Sequence, residues 1–423
     1  MKLFNSLSKK VEEFSSNDDH VSIYVCGITP YDTTHLGHAF TYTSADILIR
    51  FLERRGFKVR YAQNVTDVDD DILQKASEVH EDWIELGNRW TAHYIKDMLT
   101  LNVRPPDYYP RVTDVIPEII QMIQKLLEKG VAYVSNGSVY FDINAWPEFG
   151  KLSGLAISAM LPIANERGNK PDDPNKRDPL DFVLWQARSP GEPFWESPWG
   201  PGRPGWHIEC STLSAKYLGL PIDIHVGGSD LCFPHHECEI AQVEPINKGL
   251  PFTRFWLHIA MVEYDGAKMS KSLGNLIMVR DLLREYSADA LRFYLASHHY
   301  RQSWSFNKTD LDHCAKRAEL IRTALSVSGG YGRQVDSTTF VQGFEQALEN
   351  DLDTPGATEI LIEFSAAIIS AARSGRPVNL AQSDLWEIAG VLGLRFDRPL
   401  AEHVIRGWET HLERFPVTLR ESG

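Results

Sequence analysis

Residues 21–62 constrain the fold more than any other stretch of the chain. Val21-Ser22-Ile23-Tyr24-Val25 has the β-branched and aromatic content of a strand and runs into Cys26-Gly27. From Ser44, a residue suited to capping a helix, Ile47, Leu48, Phe51 and Leu52 recur at helical spacing until Gly56 stops the run. Lys58-Val59-Arg60-Tyr61-Ala62 reads as a second strand. Strand, helix, strand predicts the βαβ unit of a parallel sheet, and so an α/β fold that collects ligands at the C-terminal ends of its strands. Cys26 and the string His35-Leu36-Gly37-His38 fall at that end.

The texture then changes. Residues 112–129 have a helical pattern, and residues 131–134 and 138–141 flank Asn136-Gly137, a strong hairpin signal. The Pro-, Asp-, Asn- and Gly-rich stretch 164–179 is expected to run as a loop. Residues 104–190 are therefore expected to form an insertion into a sheet domain spanning 1–308. After Trp304 the pattern is helical throughout, predicting an all-α C-terminal domain over 309–423.

Two strings far apart carry the chemistry. HLGH at 35–38 sets two imidazoles three residues apart at a helix start, and KMSKS at 268–272 sets two lysines just before a helical pattern that begins near Arg280. No stretch reads G-x-x-x-x-G-K-[ST], so phosphates must be held without a Walker loop. Two histidines and two lysines can do this by stabilising charge on a triphosphate in its transition state. The pair points to adenylate-forming chemistry on ATP, with magnesium accompanying the nucleotide.

Cys26, Cys210 in GWHIEC, and His235 and Glu239 in FPHHECE offer thiolates, an imidazole and a carboxylate. His235 and Glu239 are four apart and share a face if the segment is helical. This donor set suits zinc, with Glu239 or a substrate atom as fourth ligand. The scattered spacing equally fits two small buried cysteines and a satisfied core histidine. A zinc with an open position beside ATP would take a substrate thiol as thiolate and reject a hydroxyl, which makes cysteine the expected amino acid. Cys232, Cys238, Cys314, His207 and His225 are expected to be structural. The acidic run Asp67-Val68-Asp69-Asp70-Asp71 lacks the glycine and distal glutamate of a calcium loop and is expected to be solvated or to cap a helix.

Composition bounds the setting. The net charge is −14, from 43 Lys and Arg against 57 Asp and Glu, which disfavours non-specific polyanion binding. The first residues lack the apolar core of a signal peptide, and five cysteines are an odd number, so reduced thiols and a cytoplasmic location are expected. The most apolar run, near residues 360–372, carries Glu363 and is expected to be a packed helix, with no membrane partner.

With Tyr24-Val25-Cys26-Gly27, HLGH, KRDPLD at 176–181, PGRPGWHIEC at 201–210, FPHHE and KMSKSLGN in hand, the chain resembles the cysteinyl-tRNA synthetase family of class I ligases over about residues 20–400. The resemblance implies a Rossmann-like parallel-sheet catalytic domain with an inserted domain, followed by the helical domain. It also implies a zinc site on Cys26, Cys210, His235 and Glu239, and a cysteinyl-adenylate intermediate. His35, His38, Lys268 and Lys271 would be catalytic. Cys26, Gly27, Ile28, Thr29, Thr41, Asn64, Val65, Thr66, Trp206, Gly228, Ser229, Asp230 and Val262 would bind the substrate, with Trp206 walling the thiol pocket.

Within that family the strings GITPYD at 27–32, Glu166-Arg167-Gly168 and Gly228-Ser229-Asp230 are similar to those of the mycothiol-pathway ligases, which join cysteine to the amine of glucosaminyl-inositol. The stretch 401–423 also looks short for an anticodon-reading region. The leading expectation is thus a monomeric ligase of L-cysteine, ATP and a small amino-sugar, with tRNA not favoured. A cysteine–tRNA ligase with a reduced C-terminus and a non-catalytic paralogue are the alternatives. Glu239 cuts the other way, because it is kept where mycothiol ligases tend to lose the fourth ligand.

Overall fold

The structure, a computed structural model, describes residues 1–16, 19–31, 34–269 and 274–416. At its centre lies a four-stranded, wholly parallel sheet built from β1 (His20–Ile28), β2 (Lys58–Val65), β3 (Ile222–Gly228) and β4 (Thr253–Ile259), in the order β4-β3-β1-β2. Helix α1 (Leu36–Arg54) makes the crossover from β1 to β2. It begins at HLGH, the helix start read from that string, and not at Ser44, because the side chain of His35 itself caps it, accepting from the amide of His38 at 3.4 Å. Gly56 follows its end at φ +91°, as a helix-terminating glycine does.

Side chains along a strand alternate between faces, and here the alternation separates two cores. Val21, Ile23 and Val25 of β1 pack with Ile47, Leu48 and Phe51 of α1. Tyr24 and Cys26 point the other way, into a second core with Ile208 and Leu213 of the helix α2 (Trp206–Leu218). Cys26 is thereby aimed at the helix that carries Cys210.

Between β2 and β3 stands a four-stranded antiparallel sheet of Ala132–Ser135, Ser138–Phe141, Phe182–Ala187 and Gly202–Pro204. Its first hairpin turns at Asn136 and Gly137, both at positive φ. The strand Gly202–Pro204 carries this sheet past residue 190 and delivers the chain directly into α2.

Helices Lys308–Ser326, Thr338–Glu349, Thr354–Arg373, Asn379–Val391 and Glu402–Leu412 follow. Thr354–Arg373, which carries Glu363, buries Leu361, Phe364 and Ile368 in the larger core, as a packed helix does. The wholly buried Arg292 joins this region to α1: it donates to Asp46 at 2.5 Å and to the carbonyls of Leu101 and Leu392, each at 2.7 Å.

Candidate active site and metal centre

The C-terminal ends of β1 and β2, the start of α1 and the start of α2 enclose a cavity of about 340 Å³. Cys26, Gly27, Ile28, Thr29, His35, His38, Thr41, Asn64, Thr66, Trp206, Cys210, Gly228, Asp230, His235 and Val262 all line it. Val65 instead packs in the core, and Ser229 and Glu239 stand outside the lining. Lys268 ends a short strand, Ala267–Lys268, while Lys271 lies outside the described residues.

His35 and His38 stack with ring centroids 3.7 Å apart. A Cβ on Gly37 would meet the His35 ring at 3.0 Å, so a side chain there would press on one ring of that stack. Gly27 is held more tightly still: a Cβ there would fall 1.6 Å from the carbonyl oxygen of Asn64. Asn64 accepts from the Gly27 amide at 2.8 Å and from the Tyr24 hydroxyl at 3.0 Å, and it donates to Thr66 at 3.1 Å. Thr66 in turn donates to Glu209 at 3.1 Å. Thr29 donates to Asp69, whose other oxygen caps the helix Asp70–Val79. The acidic run therefore caps a helix as expected, with Asp67 and Asp69 half-buried. Burial pushes their carboxyls up to about 6 and about 7.

At the floor of the cavity the donor atoms of Cys26, Cys210, His235 and Glu239 lie within 4.8 Å of one another, all buried. His235 Nε2 stands 3.2 Å from Glu239 Oε1, and the Trp206 ring stacks on the His235 ring at 4.6 Å. Burial and the neighbouring Cys210 push the Cys26 thiol up, and its hydrogen bond to Cys210 holds that thiol well below its usual value. Burial, with Cys210 close by, drives the Glu239 carboxyl well upward. Glu239 Oε2 has no hydrogen-bond partner among the described residues. A buried carboxylate with an unpaired oxygen beside two thiols and an imidazole is the environment a divalent cation would complete, so these residues fit a metal.

Three further histidines surround the cluster, none of them counted among the ligands from the sequence, where His207 and His225 were expected to be structural. His207 meets His235 Nδ1 to Nδ1 at 3.0 Å, while His225 and His236 approach Cys26 Sγ at 3.5 and 3.3 Å. Burial holds all three well below the usual imidazole range, so they are neutral. His225 was expected to be merely structural. The signal available was a histidine three residues from the end of a strand that stops at the sheet's ligand-collecting edge.

A larger cavity of about 550 Å³ lies next to this one, between the antiparallel sheet and α2, and Thr29 and Trp206 border both. Arg167 reaches from the antiparallel side to Asp230 at 3.0 Å.

Residues 12–316 match the family described as tRNA synthetases class I (C) catalytic domain. The cysteine–tRNA ligase of Idiomarina loihiensis is 43% identical over 403 residues, covering 94% of this chain and 86% of that protein. The cysteine–tRNA ligase of Dehalococcoides mccartyi is 42% identical over 399 residues, covering 93% of this chain and 86% of that protein. The methionyl-tRNA synthetase of Mycobacterium tuberculosis in complex with methionyl-adenylate has the same fold, with a TM-score of 0.63 at 14% identity over 94% of this chain and 93% of that one.

These relatives overturn the expected closeness to the mycothiol ligases, and with it the amino-sugar acceptor and the disfavouring of tRNA. The strings behind that expectation are each a few residues long, such as 27–32 and 166–168, whereas the likeness to the cysteine–tRNA ligase of Idiomarina loihiensis covers 94% of the chain. The chain belongs to the class I tRNA synthetase family, among the relatives of the cysteine–tRNA ligases.

Proposed function

We propose that this ATP-dependent, AMP-forming ligase is a cysteine–tRNA ligase. The observation that carries the reading is the buried Cys26–Cys210–His235–Glu239 cluster opening into the cavity that His35 and His38 line. A thiol-selecting centre and a phosphate-handling motif then face one substrate. Relatives bearing that name over 93–94% of the chain support it.

In the first half-reaction the cysteine carboxylate attacks the α-phosphate of ATP in line, and pyrophosphate leaves. His35 and His38 donate to the phosphate oxygens as charge develops, and Lys268 and Lys271 close over the triphosphate. Cys26, Cys210, His235 and Glu239 would hold zinc, which when bound supplies a soft position for the substrate sulfur. Trp206 walls that position and fixes the His235 ring by stacking on it. Asn64 accepts from the Gly27 amide and leaves no room for a side chain there, so the adenylate would lie against backbone at the strand's end. In the second half-reaction a ribose hydroxyl of tRNA attacks the activated carbonyl, and AMP leaves.

The test is purified protein with ATP, magnesium and labelled cysteine, offered cysteine-accepting tRNA. Label on tRNA is the expected result. Adenylate without transfer to tRNA overturns the acceptor, and absence of cysteine-dependent pyrophosphate exchange overturns the catalytic reading altogether.

A further inference from the structure

Cys26 and Glu239 belong to two overlapping clusters. The first, with Cys210 and His235, borders the cavity. The second joins the same two residues to His225 and His236, again with donor atoms within 4.8 Å of one another and every side chain buried. Cys26 Sγ stands 3.5 Å from His225 Nε2, 3.3 Å from His236 Nε2 and 4.0 Å from Glu239 Oε1. Glu239 Oε1 stands 3.6 Å from His225 Nε2 and 3.9 Å from His236 Nε2. Donors about 2.0–2.3 Å from a tetrahedral zinc are separated by roughly 3.3–3.8 Å, so this second set is already close to the edges of a coordination tetrahedron.

The surroundings orient His236 by hydrogen bonds and His225 by ring packing alone, its Nδ1 having no hydrogen-bond partner among the described residues. His236 Nδ1 meets His258 Nε2 at 2.8 Å, and His258 Nδ1 meets Ser6 Oγ at 2.7 Å. With each Nδ1–H donating outward along that chain, the His236 Nε2 lone pair faces Cys26, the tautomer a ligand histidine needs. A ligand histidine is held in the same manner, by a partner on its far nitrogen. The Trp256 ring stacks on His225 at 4.6 Å and packs against His236 at 5.0 Å, closing the site from the apolar side.

We propose that Cys26, His225, His236 and Glu239 form a second, closed position for the same divalent ion, competing with the open position through the two shared ligands. The inference rests on reading the first cluster as a metal site. Of the four closed-position residues only Cys26 borders the cavity, so an ion there has a full protein shell and no place for a substrate thiol. Two thiolates favour the open position for zinc, while one thiolate and two imidazoles make the closed position the fallback when the open one is damaged.

The test reconstitutes the full chain with Co2+, reading metal per chain and thiolate-to-cobalt charge-transfer absorption. The parent should bind cobalt with a two-thiolate spectrum, and His225→Ala with His236→Ala should leave that spectrum in place. Cys210→Ala should still bind one cobalt per chain, with charge-transfer absorption per ion reduced about twofold. Adding the two histidine substitutions to Cys210→Ala should abolish binding, as should Cys26→Ala alone. Cys210→Ser, nearly unchanged in volume, serves if the alanine variant does not fold. A folded Cys210 variant that binds no cobalt overturns the closed position, and so does binding that survives loss of both histidines. A parent without any thiolate-to-cobalt band overturns the metal reading itself, a distinct result.

Discussion

His235 and Glu239 meet at 3.2 Å across one helical turn, and neither is more than 1% exposed. An imidazole and a carboxylate so deeply buried, with one carboxylate oxygen lacking a partner among the described residues, are costly to keep without a cation between them and the two thiols.

Removing metal by chelation should therefore abolish thiol selection before it unfolds the chain. Cysteine-dependent pyrophosphate exchange is expected to fall on the order of 100-fold, about 3 kcal/mol, and to return on adding zinc. Unchanged exchange after verified loss of metal would mean that the cluster plays no part in activation.

Gly27→Ala tests the close approach of Gly27 and Asn64 where β1 and β2 end. The added Cβ would overlap the Asn64 carbonyl at 1.6 Å, so backbone must move. A stability loss of about 1–3 kcal/mol is expected, with a rise in the KM for cysteine. Thermal unfolding and exchange kinetics check both, and a neutral variant would show that Asn64 is not held as described.

Arg292→Met should destabilise the protein by about 3–5 kcal/mol, because it leaves Asp46 charged, buried and short of a partner. Burial acts to raise the Asp46 carboxyl, and the Arg50 and Arg292 guanidiniums outweigh it and hold it below the usual carboxylate range. Its stabilising contribution is present above the unfolded value near pH 4 and is lost as pH falls through the lower folded value. Denaturant midpoints across pH 3–7 measure this. A midpoint equal to the parent's at pH 7 would sink the assignment.

Asp69 carries the opposite sign. Burial, joined by Asp71 and Asp70, lifts its folded value to about 7, so the folded state binds the proton more tightly than the unfolded chain does. Stability from this group is complete below about pH 4 and declines on the order of 1 kcal/mol per pH unit towards pH 7. Asp69→Asn keeps a capping oxygen for Ile72 and removes the titration. The difference in stability between variant and parent should therefore grow in favour of the variant across that interval. Parallel pH profiles for the two proteins would refute it.

Much of the architecture was legible because it is local. The alternation in β1, the Asn136-Gly137 turn and the Gly56 stop each depend on neighbours a few residues away. The start of α1 was legible from HLGH but not from Ser44, the residue better suited to capping, because His35 caps the helix by turning its ring onto the amide of His38. The acceptor was misjudged for a different reason. A net charge of −14 is a sum over the whole chain and does not describe the field at one face, and loop strings vary without changing chemistry.

By itself the sequence determined the parallel-sheet class, the ends of the strands where a ligand must lie, and the four-residue spacing that lets His235 reach Glu239. Only the tertiary structure decided that Cys26 would meet His225 from 199 residues away and His236 from 210. Strand order and the facing of alternate side chains are set by how two cores close on one sheet. That closure is a property of the whole packing, and no local pattern encodes it.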